Sequence, residues 1–161
     1  MKRTFINYLM LFVAITFTSC SAIYENGEEL AASIQNNIAE ISADELRTRI
    51  ENGEDFLLID VRQSNDYKNG AIPGALNIPR GALEIRIRDD EFWEEEFLYT
   101  PENDAEIILY CKLGYRGALS AFALQQLGFT NVKNLHGGIL NWDPNIDNNT
   151  PKTAGGGGCG E

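Results

Sequence analysis

The sequence predicts an α/β domain, with a central, mostly parallel sheet of about five strands and helices on both faces. Two observations carry this. Apolar runs of strand length alternate with helix-length segments along the chain, and two of them, Phe56–Ile59 and Ile107–Tyr110, are apolar throughout. A strand that is apolar at every position is covered on both sides, the situation of a parallel sheet flanked by crossover helices. Ligands in such folds bind beyond the carboxyl ends of the strands. The residues following those two runs are therefore the first place to look for chemistry.

Each element has its own signal. Ile38–Ile41 reads as a short first strand. Ser42 opens a helix with Glu45 three residues on, a capping-box pattern, and Leu46 and Ile50 share one face. The run Phe56–Ile59 ends in Asp60, and a short helix through Tyr67 stops at Gly70. Turn residues from Ala71 to Pro79 surround a brief strand at Ala75–Ile78. Residues 80–98 are expected to be helical, with Leu83 and Ile87, then Trp93 and Phe97, spaced four apart. After the strand Ile107–Tyr110 comes a loop, then a helix from about Gly117 to Leu127 that Gly128 terminates. Asn131–Leu135 supplies the last strand, and Gly137-Gly138 turns into a final short helix through Trp142.

The ends have a different character. Lys2 and Arg3 precede an apolar run from Phe5 to Phe17 that is too short for a spanning helix, so residues 1–19 are expected to be an export signal. Phe17-Thr18-Ser19-Cys20 resembles a bacterial lipoprotein cleavage box, in which Cys20 becomes the lipidated N-terminus. The alternative is an ordinary secretory signal with Cys20 incidental. Several acyl chains on Cys20 would anchor the chain stably to a membrane of the cell envelope. Residues 20–36 then read as a tether with some helical tendency, 37–149 as the domain, and 150–161 as a Gly-rich flexible tail.

Composition narrows the function classes. The 161 residues are 43% hydrophobic and 23% charged, which excludes wholesale disorder. The 24 acids, 13 bases and net charge of −11 leave no basic face for phosphate neutralisation, so nucleic acid is not an expected partner. Nine of the acids lie between Asp89 and Glu106 with no base among them; a solvated acidic surface is the expected reading. The three Cys and one His are scattered along the chain with no partner at ligand spacing, so a zinc site of the usual four-ligand kind would need help, and no metal or other cofactor is expected.

Chemistry is expected at Cys111, directly after a buried strand and before Lys112, Leu113, Gly114, Tyr115 and Arg116. A loop between a central strand and a helix N-terminus presents unpaired amides and partial positive charge. Gly114 permits a curled backbone, and Lys112 and Arg116 add two full charges, surroundings that favour a thiolate. The alternative is a buried Cys at a strand end. Loop length separates two chemistries. Cys111 to Arg116 is C-x4-R, one residue shorter than the C-x5-R of protein tyrosine phosphatases, a cradle sized for a single sulfur atom rather than a phosphate.

Four blocks in order carry a family resemblance. They are Leu58-Ile59-Asp60-Val61-Arg62; Tyr67-x-x-Gly70 running into Ile72-Pro73-Gly74-Ala75-Leu76-Asn77-Ile78-Pro79; Tyr110-Cys111-x-x-Gly114-x-Arg116; and Gly128-Phe129-x-Asn131-Val132-x-Asn134-Leu135-x-Gly137-Gly138-x-x-x-Trp142. Over Ile41 to Trp142 the chain resembles the rhodanese domain, specifically its single-domain sulfurtransferases. Ala71 stands where the family usually has His. The resemblance implies that Cys111 takes sulfur from a donor such as thiosulfate and passes it to cyanide or a thiol in a covalent, ping-pong reaction. Arg116 and Lys112 would hold the donor's sulfonate, and the amides from Leu113 to Arg116 would stabilise the persulfide.

Other residues are read more plainly. Asp60 and Arg62 are expected to form an internal pair that supports the loop, His136 to be a surface or packing residue, and Trp93 and Trp142 to pack in the core. Tyr115 either gates access or faces solvent. Cys159, after four glycines, is read either as an incidental thiol or as one that accepts sulfur from Cys111 or forms a disulfide with it. The protein is expected to be a monomer. Two rivals stay open: a persulfide carrier or docking module without turnover, and a phosphatase or arsenate reductase, which the short loop disfavours.

Overall fold

In a computed structural model, residues 22–146 are described. The elements in chain order are α1 (Gly27–Gln35), β1 (Ala39–Ile41), α2 (Ala43–Glu51), β2 (Leu57–Asp60), α3 (Ser64–Lys68) and β3 (Leu76–Asn77). There follow α4 (Leu83–Arg86), α5 (Asp90–Glu95), β4 (Ile107–Tyr110), α6 (Tyr115–Gln126), β5 (Val132–Leu135) and α7 (Ile139–Trp142). The five strands form one sheet in the order β1-β5-β4-β2-β3, and every pairing is parallel. The expected α/β fold with a five-stranded sheet is what forms.

Alternation along the central strands divides the core in two. Ile59, Ile107 and Leu109 pack with Leu83, Trp93, Leu124 and Phe129 on one face. Leu58, Ile108 and Tyr110 pack with Leu46, Ile72 and Ile139 on the other. Both faces of β2 and β4 are thus covered, as their unbroken apolar runs require. Ser42 caps α2 by accepting the Glu45 N–H at 3.1 Å, and Gly128 takes a φ of +93° just after α6.

Two expectations need correction. The helix expected over 80–98 is two short helices, α4 and α5, with Asp89 in extended conformation between them. In a continuous helix, at about 100° per residue, Phe92 would point roughly 180° away from Leu83. The break lets both side chains bury. Phe97, expected to share a face with Trp93, is instead 95% exposed. The second correction concerns the tether. Residues 27–35 form α1, which packs against α6 and buries Ala31. Asn26 accepts the Glu29 N–H at 2.8 Å, and the Glu29 carboxylate reaches back to accept the Glu25 N–H at 2.8 Å, so two side-chain bonds fix where α1 begins.

The end of the sheet far from Cys111 is held by charge. Glu106 accepts two hydrogen bonds from the Arg49 guanidinium, at 2.6 and 2.7 Å, and a third from Lys133 at 2.7 Å. The Arg49 hydrogen bonds, opposed by partial burial and helped by Lys133, bring its carboxyl down to about 2. A carboxyl lowered in the folded state stabilises above its unfolded value and loses that contribution as pH falls through the folded one. Glu106→Gln is therefore expected to lower stability at pH 7 by on the order of 2–3 kcal/mol. The difference should close between about pH 4.5 and pH 2. Thermal unfolding of both chains across that range checks this; a difference that is the same at both ends would refute it.

Candidate active site

Cys111 is placed by the sheet. It follows the last residue of β4, the strand flanked by β2 and β5. Gly114 then turns the chain with a φ of +95° and ψ of −28°, and α6 begins at Tyr115. The helix thus starts two residues earlier than expected, which puts Tyr115 and Arg116 in its first turn. Its first intrahelical bond runs from the Ala118 N–H to the Gly114 carbonyl at 2.9 Å. The amides of Tyr115, Arg116 and Gly117 thus precede the helical ladder. Cys111 is 2% exposed, and its Sγ accepts the Gly114 N–H at 3.2 Å.

A second loop braces the first from below. The Ile139 N–H donates to the Cys111 carbonyl at 2.8 Å, and the Leu140 N–H to the Lys112 carbonyl at 3.3 Å. Gly138 makes this approach achievable. A Cβ there would stand 2.5 Å from the Cys111 oxygen and 2.6 Å from the Lys112 oxygen, too close for any side chain. Its φ of +66° with ψ of −158° also belongs to glycine. Gly117 brings α6 equally close to the sheet, since a Cβ would meet the Asn134 Oδ1 at 2.1 Å. Asn134 is buried beside it, and its Oδ1 has no hydrogen-bond partner among the described residues.

Asp60 and Arg62 form the internal pair expected of them. Asp60 is fully buried and Arg62 is 4% exposed. The Arg62 Nε lies 3.0 Å from both Asp60 oxygens, Nη2 donates to Oδ2 at 2.6 Å, and the Arg62 backbone N–H donates to Oδ1 at 2.9 Å. A further bond from Nη2 reaches the Gly70 carbonyl at 2.6 Å. Burial opposes the Arg62 charge, but its hydrogen bonds to Asp60 prevail and hold it above its ordinary value. Asn77 donates to the carbonyls of both residues at 3.0 Å. Asp60 lies opposite Tyr110 across the β2–β4 ladder, so the pair stiffens the strand ends beside Cys111. Tyr110 itself is sealed in: burial, and then the Asp60 charge, push its hydroxyl well up, and that oxygen accepts the Ile72 N–H at 3.1 Å.

Cys111 opens onto a cleft of about 670 Å³ whose rim includes Lys112, Leu113, Tyr115 and Arg116. All five expected loop residues from Lys112 to Arg116 are therefore brought to one place with the Cys, Gly114 through its hydrogen bond to sulfur. The opposite wall was not anticipated: Asn26, Gly27 and Glu28, at the start of α1. The Asn26-x-x-Glu29 cap was the local signal that a helix begins there, but nothing local says where it docks. Tyr115 is 38% exposed and lies on the cleft rim. His136 is a surface residue, its ring nitrogen 2.8 Å from Glu40. Cys20 and Cys159 lie outside the described residues.

The profile of the rhodanese-like domain family matches residues 42–145, well over half of the chain. The chain belongs to that family. This rhodanese-like chain is 32% identical over 105 residues to a protein of Allochromatium vinosum named "Sulfurtransferase", covering 65% of this chain and 88% of that one. It is 32% identical to the human "Thiosulfate:glutathione sulfurtransferase", covering 63% and 90% of the two chains. Among solved structures, the human single-domain sulfurtransferase TSTD1 superposes with a TM-score of 0.59 at 31% identity, over 64% of this chain and 93% of the other. The chain is thus a rhodanese-family sulfurtransferase.

Proposed function

We propose that this sulfurtransferase takes sulfane sulfur from thiosulfate or a donor like it, and hands it to a thiophilic acceptor, cyanide or a thiol. The observation that carries this is the seat of Cys111. Its Sγ is buried, accepts the Gly114 N–H at 3.2 Å, and is reached from a cleft edged by Lys112 and Arg116. In the first half-reaction the Cys111 thiolate attacks the outer sulfur of thiosulfate. The donor S–S bond breaks, sulfite leaves with the electron pair, and a persulfide forms on Cys111. The N–H groups ahead of the α6 ladder stabilise the persulfide charge. In the second half-reaction cyanide attacks the outer sulfur, thiocyanate departs, and the thiolate is restored. The human relative's name pairs thiosulfate with glutathione, which supports a thiol as the cellular acceptor.

Intact mass of the full chain after thiosulfate, and again after cyanide, tests the reading. One sulfur atom gained and then discharged as thiocyanate is expected. Absence of any gain would overturn it, and a gain that cyanide removes slowly would instead support the carrier reading.

Anchoring is the second part of the proposal. Cys20 carries the lipid and holds the domain at the envelope, supported by the Ser19-Cys20 box after an apolar run. Among the described residues no helix is long and apolar enough to cross a membrane. Labelled fatty acid fed to bacteria expressing the chain should enter the wild type and not Cys20→Ser; equal labelling of both would refute it.

A further inference from the structure

We infer that the face built by residues 93–106 is a docking surface for a basic protein segment carrying an apolar anchor. It owes nothing to the sulfur-transfer reading, and it lies at the other end of the sheet. A groove of about 570 Å³ opens at the amino ends of β2 and β4, walled by Phe56, Leu76, Trp93, Leu98, Tyr99 and Pro101. Phe97 and Tyr99 stand out beside it at 95% and 97% exposure, with Leu98 at 43%. Three consecutive large apolar residues in solvent form the kind of patch that a partner covers, and aromatic side chains dominate such contacts.

The backbone shows that Phe97 is there for its side chain. Phe97 directly follows the C-cap of α5 with a φ of +59°, while the Leu98 N–H closes onto the Trp93 carbonyl at 2.9 Å. This helix-ending position favours glycine, which occupies it after α6 as Gly128, with a φ of +93°. Phe97 is the one non-glycine residue with positive φ among the described residues. The strained backbone costs stability, which glycine would relieve.

Charge selects the occupant. Asp89, Asp90, Glu91, Glu94, Glu95, Glu96, Glu102 and Asp104 are all exposed in the segment that carries the patch, and from 89 to 106 that segment holds no base. The nearest arginines in sequence are engaged: Arg86 lies over the Phe92 ring and Arg88 over Phe129. A second copy would oppose one acidic face to another, and an anionic bilayer would be repelled in the same way. Lys and Arg flanking an apolar residue complement both the rim and the groove.

Fluorescence anisotropy of a short labelled peptide of alternating Lys and Leu, titrated with the full chain, tests this. A Glu-Leu peptide serves as control. The Lys peptide should bind, more weakly as salt rises, and the Glu peptide should not. Phe97→Gly and Tyr99→Ser should each weaken binding by about tenfold or more. Phe97→Gly should also raise the thermal midpoint, so its lost binding cannot come from unfolding, and both variants should keep wild-type thiocyanate turnover. Equal binding by wild type and variants, equal binding of the two peptides, or no binding to the Lys peptide overturns the inference. So does a dimer, seen by sedimentation, that Phe97→Gly dissolves.

Discussion

A Cys111→Ser chain is expected to gain no sulfur from thiosulfate and to release no thiocyanate, with its fold unchanged. The two side chains have nearly the same shape, and a Ser hydroxyl can accept the Gly114 N–H as Sγ does at 3.2 Å. Destabilisation should stay within about 1 kcal/mol, because no cavity of consequence opens. Reactivity is another matter. An alcohol at neutral pH offers almost no anion, and oxygen cannot store sulfane sulfur as a persulfide. Turnover should fall by on the order of 10⁴ or more, as when other covalent enzymes lose their nucleophile. Turnover within tenfold of wild type would show that sulfur travels by another route. Mass spectrometry would then locate the loaded residue.

Asp60→Ala should be the most damaging single change to stability. The substitution leaves the Arg62 guanidinium, 4% exposed, with the Gly70 carbonyl but without its counter-ion. Breaking a buried pair from one side costs about 3–5 kcal/mol, because the stranded charge keeps its full desolvation penalty. That is a large share of the 5–15 kcal/mol typical of a whole domain. The urea midpoint should fall accordingly with an unchanged slope. Removing both partners, as Asp60→Ala with Arg62→Met, should recover much of the loss. A single-variant loss below 1 kcal/mol would mean that water reaches Arg62 and the pair is not sealed.

The Cys111 loop is legible in the sequence because its signals are local. Strand, Cys, turn glycine and helix follow one another within a few residues, so covalent continuity brings Cys111, Gly114 and Arg116 together. Asp60 and Arg62 are two apart at the end of a strand, and their pairing is equally local. The helix expected over 80–98 failed for a reason that local spacing cannot express. Four-residue spacing fits Leu83 with Ile87 and Trp93 with Phe97 separately, while burial of Phe92 and Trp93 in the same core as Leu83 and Ile87 demands a break at Asp89.

The α/β class, the family, and the loop that gathers Cys111 with Lys112 and Arg116 can all be read from the sequence. Each depends on patterns that close over short stretches of chain. Tertiary structure alone decided that α1 folds back to complete the cleft with Asn26, Gly27 and Glu28, and that Gly138 lies beneath the Cys111 and Lys112 carbonyls. It alone decided that Phe97 and Tyr99 face outward beside an apolar groove. These follow from contacts between residues tens of positions apart, which only the packing of helices on a closed sheet order brings into register.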